Sequence, residues 1–533
     1  MLDILSERAV RQPHRRWLSM VDGRSFTFSE AWYQILRFAS ALKTFGIGEG
    51  DTVGISLRNR EEFVFLWFAA KYLGAAGVPL NPELKGRILS GMLGRSRPKI
   101  VFVEEDRRSS MDEALAQALV TDARTIALPQ WGRMDEACSV ETSEFHPFLD
   151  AAPIEVPPAS PDPMQPVIIS FTSGTTGPSK GILGTAPHVG ATARINAEQQ
   201  GFTDDDVVYT CLPLFHSNAL ISATCATIYA GCEVVISRRF SASRFWREVV
   251  DYNATTLSFL GSMIAVLLAR EPEPIEREHR LRLVLAVPGT AAQIRELSAR
   301  FGFQTVSAYG LSDMGIVLWT DTQGRAPAGS CGRPIDDFEV MLVDDLDAPV
   351  ALGSVGELII RPKTMWVAPG GYLNMPEETL KSWRNWWFHS GDLLKQDQAG
   401  WYYFVDRKKE AIRRRGENIS TLELEDVVHS SKLVEECVAY AIKSDLGDDD
   451  VAIAVIWLGG KERVDDLLRY LVAELPSYAM PRYIRTVTEF ERTGTEKVQR
   501  AGLVSDGVID GMWDGGPLTG TVKGMDELVQ RIT

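Results

Sequence analysis

Residues 167–182, VIISFTSGTTGPSKGI, place a run of four hydroxyl residues at 172–176, with three glycines and one lysine, directly after an apolar, β-branched stretch. That combination suits a phosphate. Gly174, Gly177 and Gly181 let backbone amides converge on an anion, while Thr172, Ser173, Thr175 and Thr176 supply hydroxyl donors and Lys180 a positive charge. The spacing is not that of a GxxxxGK[ST] loop. Counted from Gly174, that template needs a glycine at 179, where Ser179 stands, and no hydroxyl residue follows Lys180. The plain alternative is a solvated surface turn, but ordinary turns seldom follow a hydrophobic strand with so many donors.

The elements that would hold this loop alternate between helix and strand. FTFSEAWYQILRFASALKTFG repeats apolar residues at helical spacing, and TVGISLRN, AAGVPLNP, KIVFVEED and RTIALPQ read as short strands between polar or helical stretches. A doubly wound, parallel sheet is expected. Prolines in APIEVPPASPDPMQP at 152–166 predict a linker or surface crossing. CEVVIS, EVMLVDD and GELIIRP continue the strands into a β-rich stretch. Beyond 405 the chain turns basic, and DRKKEAIRRRGENISTLELEDVVHS reads as helical. Strands VEECVAYAI and VAIAVIW and the amphipathic helix VDDLLRYLVAEL then complete a small domain.

Composition excludes several classes of protein. Of 533 residues, 45% are hydrophobic and 24% charged, which describes a globular chain rather than a disordered one. A net charge of −15 repels phosphate backbones and anionic lipids, so no nucleic-acid partner is expected. Cys138, Cys211, Cys225, Cys232, Cys331 and Cys437 are scattered without zinc spacing and are expected to be free thiols. Asp3, Glu7 and Arg8 interrupt what would be the apolar core of a signal peptide. The most apolar segment, TLSFLGSMIAVLLA at 256–269, is shorter than the ~20 residues of a spanning helix and reads as a buried strand and helix. A cytoplasmic location with no membrane span is expected.

Further segments carry reactive groups: LPLFHSNAL (212–220), LAVPGTAA (285–292), AYGLSDMG (308–315), WFHSGD (387–392), FVDRKKEAIRRRGENIS (404–420), LPSYAMPRYI (475–484) and ERTGTEKVQR (491–500). With FTSGTTGPSKG they resemble, in order and to about residue 503, the adenylate-forming superfamily of acyl-CoA synthetases, luciferases and peptide-synthetase adenylation domains. GENIS and TEKVQR are most similar to the carnitine/crotonobetaine-CoA ligase-like members and to medium or bulky acyl-CoA synthetases.

The resemblance implies an α/β fold: a large N-terminal domain of stacked α/β subdomains with a β-rich subdomain, and a small, mobile α+β C-terminal domain. Expected boundaries are 1–405 for AMP and acyl binding, 406–409 for the hinge, 410–505 for the small domain and 506–533 for a tail of unassigned role. It implies that ATP or AMP is bound by Thr172, Ser173, Gly174, Thr175, Thr176, Gly177, Lys180, Gly289, Tyr309, Gly310, Ser312, Asp392 and Arg407. Within that set Tyr309 stacks on adenine, the Ser312 hydroxyl meets phosphate, Asp392 accepts both ribose hydroxyls and Arg407 lies near the ribose. His216 borders the acyl pocket, Asp313 holds Mg²⁺, Lys409 is the pivot, Arg415, Gly416 and Glu417 flank the tunnel for coenzyme A, and Lys497 is the adenylation lysine. As a bare residue, His216 is more commonly a core histidine, here beside Phe215, and the plain reading of Lys497 is a solvated lysine.

Four positions depart from the family pattern. Asp313 replaces a glutamate and shortens the carboxylate's reach by about one C–C bond, ~1.5 Å. Gly289 stands alone where paired glycines are usual, and Glu496 and Arg415 replace glycines. The expected activity is an acyl-CoA ligase that activates a hydrophobic or bulky organic acid through acyl-AMP, with ATP, Mg²⁺ and coenzyme A. The departures leave open an enzyme that only transfers a preformed acyl-adenylate, made by a separate adenylating partner, to CoA. A vestigial nucleotide-binding regulatory protein is the third reading.

Overall fold

A computed structural model describes residues 1–129, 145–155, 162–172, 179–286, 291–365, 367–407, 412–415, 417–419, 421–444, 447–491 and 500–516. Two mostly parallel sheets form the large body. The six-stranded sheet runs Arg124–Leu128, Ile100–Glu104, Thr52–Ser56, Ala76–Pro79, Pro166–Thr172 and Lys180–Thr185, parallel except for its last pair. The seven-stranded sheet runs Gln304–Val306, Leu283–Ala286, Thr256–Phe259, Val207–Thr210, Glu233–Ile236, Arg16–Met20 and Ser25–Thr27, again with one antiparallel edge pair. The doubly wound, parallel architecture expected from the alternation is thus present as two sheets, in keeping with the stacked α/β subdomains that the resemblance implies.

The helix Glu61–Tyr72 explains how they stack. All twelve of its residues are buried, as required of a helix with apolar residues on every side. Trp67 lies against Gly77 of the six-stranded sheet, where an added Cβ would come within 2.4 Å of the indole. Phe68 meets Trp17 of the seven-stranded sheet edge to face at 6.1 Å, and Phe65 meets Phe26 at 5.1 Å. The preceding helix, Phe28–Thr44, begins at a capping box in which Thr27 and Glu30 satisfy each other's amides. The segment 256–269 gives the strand Thr256–Phe259 and the helix Gly261–Leu268, as the sequence predicts. Among the described residues no helix is long and apolar enough to cross a membrane, and the five described cysteines form no disulfide.

Antiparallel sheets follow. Ala308–Leu311, Gly315–Trp319 and Arg333–Pro334 form one, and Phe338–Val343, Val355–Pro362, Trp387–Gln396, Trp383–Arg384 and Tyr402–Arg407 form the β-rich part. The basic segment after 405 is not helical throughout: Ile412–Arg414 and Glu417–Ile419 pair as a hairpin, and the helix begins only at Thr421. Long-range charge pairing explains the difference. Arg414, 1% exposed, donates to Asp450 at 3.0 Å and to the Met480 carbonyl at 2.7 Å, and the Arg413 amide donates to Asp449. Burial pulls the Arg414 pKa down to about 10, against the attraction of Asp450, so the guanidinium stays charged at neutral pH.

The small domain has its own core, with Val451, Ile453 and Val455 packed against Leu467, Leu468 and Leu471. Its sheet runs Val434–Lys443, Asp449–Trp457, Tyr483–Thr486 and Trp513–Asp514. The last strand lies in the Gly-rich tail to which the sequence assigns no role, and Trp513 packs on this core.

Candidate active site

The candidate site lies where the small domain meets residues beyond the strands Pro166–Thr172 and Val207–Thr210, Glu423 reaching Ser179 and Glu417 reaching His216. Thr172 and Lys180 pair across the base of the hydroxyl-rich loop, fixing the points where it leaves and rejoins the sheet. The Lys180 ammonium sits 4.7 Å above the Tyr372 ring and 3.4 Å from Glu378 Oε2. Tyr372 Oη in turn donates to Asp313 Oδ1 at 2.6 Å. Burial, reinforced by the Asp313 charge, raises the Tyr372 pKa, so the phenol keeps its proton and remains a donor.

Asp313 is held on a tight turn between Ala308–Leu311 and Gly315–Trp319. Gly310 is required there, because a Cβ would meet the Gly315 carbonyl oxygen at 2.6 Å. Met314 is buried and anchors the turn, leaving Ser312 exposed and Asp313 half-buried. Beside the turn, Tyr309 Oη donates to Asp392 Oδ2 at 2.6 Å, with both residues buried. The Ser390 hydroxyl accepts from the Asp392 amide at 3.1 Å and donates to the Leu358 carbonyl at 2.6 Å.

His216 stands on the opposite wall, its ring 4.5 Å from that of Phe215. Nε2 lies 3.0 Å from Oε1 of Glu417, a residue of the small domain's hairpin. Burial opposes the imidazolium, but the Glu417 charge and hydrogen bond outweigh it and raise the pKa. A second residue of the small domain, Glu423, accepts from both the amide and the hydroxyl of Ser179, at the end of the hydroxyl-rich loop. Burial raises the Glu423 pKa despite those bonds and the nearby Arg95 charge. Arg415 occupies a left-handed backbone position, φ 54°, with its amide on Asp448 at 2.7 Å. A left-handed φ is where glycine costs least, which accounts for the glycine usual at this place.

The structure therefore joins Lys180 to Asp313 through Tyr372, Tyr309 to Asp392, and His216 to Glu417. Ser173, Gly174, Thr175, Thr176, Gly177, Gly289, Lys409, Gly416, Lys497 and the Arg407 side chain lie outside what is described. Tyr372, Glu378, Ser179 and Glu423 are additions to the site that the sequence reading missed. The signal was present only as GGY ahead of PEE at 370–378 and as the serine that breaks the GxxxxGK template. Among the described residues no group of three or more His, Cys, Asp or Glu side chains is placed to hold a metal. One carboxylate, Asp313, still fits a cation that takes most of its ligands from water and phosphate oxygens.

Comparison with known proteins agrees with this geometry. Residues 5–372 match the AMP-binding enzyme family, and residues 423–497 match the C-terminal domain of AMP-binding enzymes. The chain belongs to the AMP-binding enzymes. It is an AMP-forming acyl-CoA synthetase, an adenylate-forming ligase whose relatives include carnitine-CoA ligases. The crotonobetaine/carnitine-CoA ligase of Escherichia coli O8 is 29% identical over 489 residues, covering 90% of this chain and 93% of the relative. Among solved structures, a double mutant of o-succinylbenzoate CoA synthetase from Bacillus subtilis with its product analogue has a TM-score of 0.82 at 24% identity, covering 94% of this chain and 98% of the other. The same synthetase with its acyl-adenylate intermediate has a TM-score of 0.67, covering 94% and 97%. The amide bond synthetase of Marinactinospora thermotolerans has a TM-score of 0.82 at 19% identity, covering 94% and 99%.

Proposed function

We propose that the protein joins a hydrophobic or bulky organic acid to coenzyme A in two steps at this one cleft. In the first, a carboxylate oxygen of the acid attacks the α-phosphorus of ATP; the new O–P bond forms as the bond to pyrophosphate breaks. In the second, the CoA thiol gives up its proton to solvent and its sulfur attacks the acyl carbon; the thioester forms and AMP leaves with the electron pair of the broken C–O bond. Tyr309 and Asp392 would hold the nucleoside, with Asp392 exchanging the Tyr309 hydroxyl for ribose hydroxyls. Lys180 and the hydroxyl-rich loop would hold phosphate, and Lys497 would meet charge developing at the α-phosphate. His216 would hold the acid's carboxylate. Asp313 is the residue that would hold Mg²⁺, which when bound neutralises phosphate charge.

The observation that carries the reading is the Glu417–His216 hydrogen bond, because it brings the small domain's hairpin to the acyl side of the cleft. The higher TM-score against the product-analogue complex than against the acyl-adenylate complex supports the same assignment of this arrangement to the CoA step. The small domain would pivot near Lys409 to bring Lys497 in for the first step. Domain boundaries near 405 and 410 belong to the same proposal.

The commitment of Asp313 Oδ1 to Tyr372 favours a second reading, in which adenylation is lost and only the CoA step remains. Acid-dependent exchange of labelled pyrophosphate into ATP separates the two, run alongside CoA consumption with synthetic acyl-adenylates. Exchange with some acid establishes the complete ligase. Rapid acyl-adenylate consumption without exchange establishes the half-enzyme and calls for an adenylating partner, and neither activity overturns both.

A further inference from the structure

A second segment runs beside the strand Lys180–Thr185 and carries a carboxylate to its lysine. The Leu183 amide donates to the Gly371 carbonyl at 2.9 Å, the Gly370 amide to the Leu183 carbonyl at 2.7 Å and the Leu373 amide to the Gly181 carbonyl at 2.7 Å. The segment then turns into the helix Pro376–Ser382, whose Thr379 hydroxyl accepts from the Tyr372 amide and donates to the Met375 carbonyl, each at 3.0 Å. Gly371, at φ 98°, closes the turn, because a Cβ there would come within 2.8 Å of Thr379. These contacts fix the backbone of Glu378 relative to that of Lys180. The flexible four-carbon stem of the lysine is the part that can move.

Glu378 is shared by two lysines, unequally. Its Oε1 accepts from the Lys381 ammonium at 2.6 Å, a close charge-assisted hydrogen bond. Its Oε2 stands 3.4 Å from Lys180, beyond the ~2.7–2.9 Å of such a bond. The Lys381 hydrogen bond accordingly leads in lowering the Glu378 pKa, with Lys180 contributing less. Among the described residues Glu378 is the carboxylate paired with Lys180, whose side chain keeps 18% of its surface open, so an anion from solvent can reach it. Such an anion meets a cation whose present partner is loose, and it also meets the Glu378 charge. Opening the pair and the repulsion between like charges both oppose its binding.

We propose that Glu378 is a positioning residue for pyrophosphate release, a resident counter-ion that Lys180 gives up as ATP or pyrophosphate enters and takes back as pyrophosphate leaves. The inference rests on the acyl-CoA ligase reading, in which Lys180 holds phosphate, and deepens it by assigning the group that limits how tightly the leaving product is held. A lysine without a counter-ion would hold pyrophosphate longer, and binding the product more tightly adds nothing to the rate of the chemical step.

Calorimetry with pyrophosphate in magnesium buffer, on the full chain, reads the exchange without an acid substrate. Glu378→Gln keeps the shape of the side chain, removes its charge and is expected to tighten pyrophosphate binding about fivefold. In a Lys180→Ala background the same change should have a much smaller effect, since only direct repulsion between Glu378 and pyrophosphate is left. Lys381→Gln, at a 68% exposed side chain, works from the other side: it frees Glu378 for Lys180 and is expected to weaken binding, an effect that Glu378→Gln abolishes. In the acid-dependent reaction Glu378→Gln should be inhibited by about fivefold less pyrophosphate with the KM for acid unchanged, a split that a general disturbance of the site does not produce. Thermal unfolding shows which variants fold, and Lys381→Gln keeps the test available if Glu378→Gln does not. Unchanged binding in Glu378→Gln overturns the proposal, and weaker binding overturns it in favour of a brace that holds Lys180 toward phosphate. An equal effect of Glu378→Gln with and without Lys180 overturns it too. Failure of the underlying reading looks different: pyrophosphate then binds no variant, or binds Lys180→Ala as tightly as the unaltered chain, and the inference falls with it.

Discussion

A single hydrogen bond, Tyr372 Oη to Asp313 Oδ1, connects the phosphate side of the cleft to the shortened acidic residue. If Asp313 supports adenylation, Asp313→Ala lowers pyrophosphate exchange by about 10²–10³-fold, a loss typical of a group that stabilises transition-state charge. Consumption of acyl-adenylate by CoA changes far less, and comparison of the two assays checks the assignment. Tyr372→Phe removes one donor and lowers exchange about tenfold, consistent with roughly 1.4 kcal/mol for a hydrogen bond to a charged group. The Asp313 position was legible because AYGLSDMG is a contiguous segment. Tyr372 was not, since it is 59 residues away and the two meet only through the packing of an antiparallel turn on the β-rich part. The histidine was legible as a residue type, but its partner Glu417 lies 201 residues downstream on another domain.

Element by element, β-branched runs gave away most strands, because residues buried on both faces leave a continuous apolar signature. The exception at 412–419 follows from the helix-forming tendency of arginine, which local spacing registers while the pairing of Arg413–Arg415 with Asp448–Asp450 is invisible to it. The strand Trp513–Asp514 is equally hidden, being two residues long and followed directly by glycine. The buried helix Glu61–Tyr72 depends on Gly77 leaving room for Trp67. Gly77→Val forces the indole or the strand to move and is expected to destabilise the large body by about 1–3 kcal/mol, read from urea unfolding. The hairpin carries a pH dependence. Glu417 raises the His216 pKa when the small domain is docked, so the contribution is complete below the ordinary histidine value and is lost as pH rises through the raised one. Fluorescence energy transfer between labels on the two domains should report weaker docking as pH increases through that range, and Glu417→Gln should flatten the response.

At the scale of the whole molecule, the small domain touches the large one at Arg87 and at Ser179, which ends the hydroxyl-rich loop. Arg87 pairs with Asp426 at 3.2 Å, but both side chains are more than half exposed, so that contact contributes little. Ser179 and Glu423 are different, because the serine is 1% exposed and both of its donors end on one carboxylate oxygen. Undocking frees the Ser179 amide to water, whereas docking without an acceptor buries it unpaired. Glu423→Ala should therefore disfavour the docked arrangement by about 1–3 kcal/mol, or roughly fivefold to 150-fold in its population. If that arrangement performs the CoA step, single-turnover consumption of acyl-adenylate falls by a similar factor while pyrophosphate exchange is unchanged or faster. Glu423→Gln keeps an oxygen acceptor for Ser179 and should recover most of the loss. A parallel fall in both half-reactions would instead mean that Glu423 shapes the loop in every arrangement, and the division of labour between two domain positions would have to be abandoned.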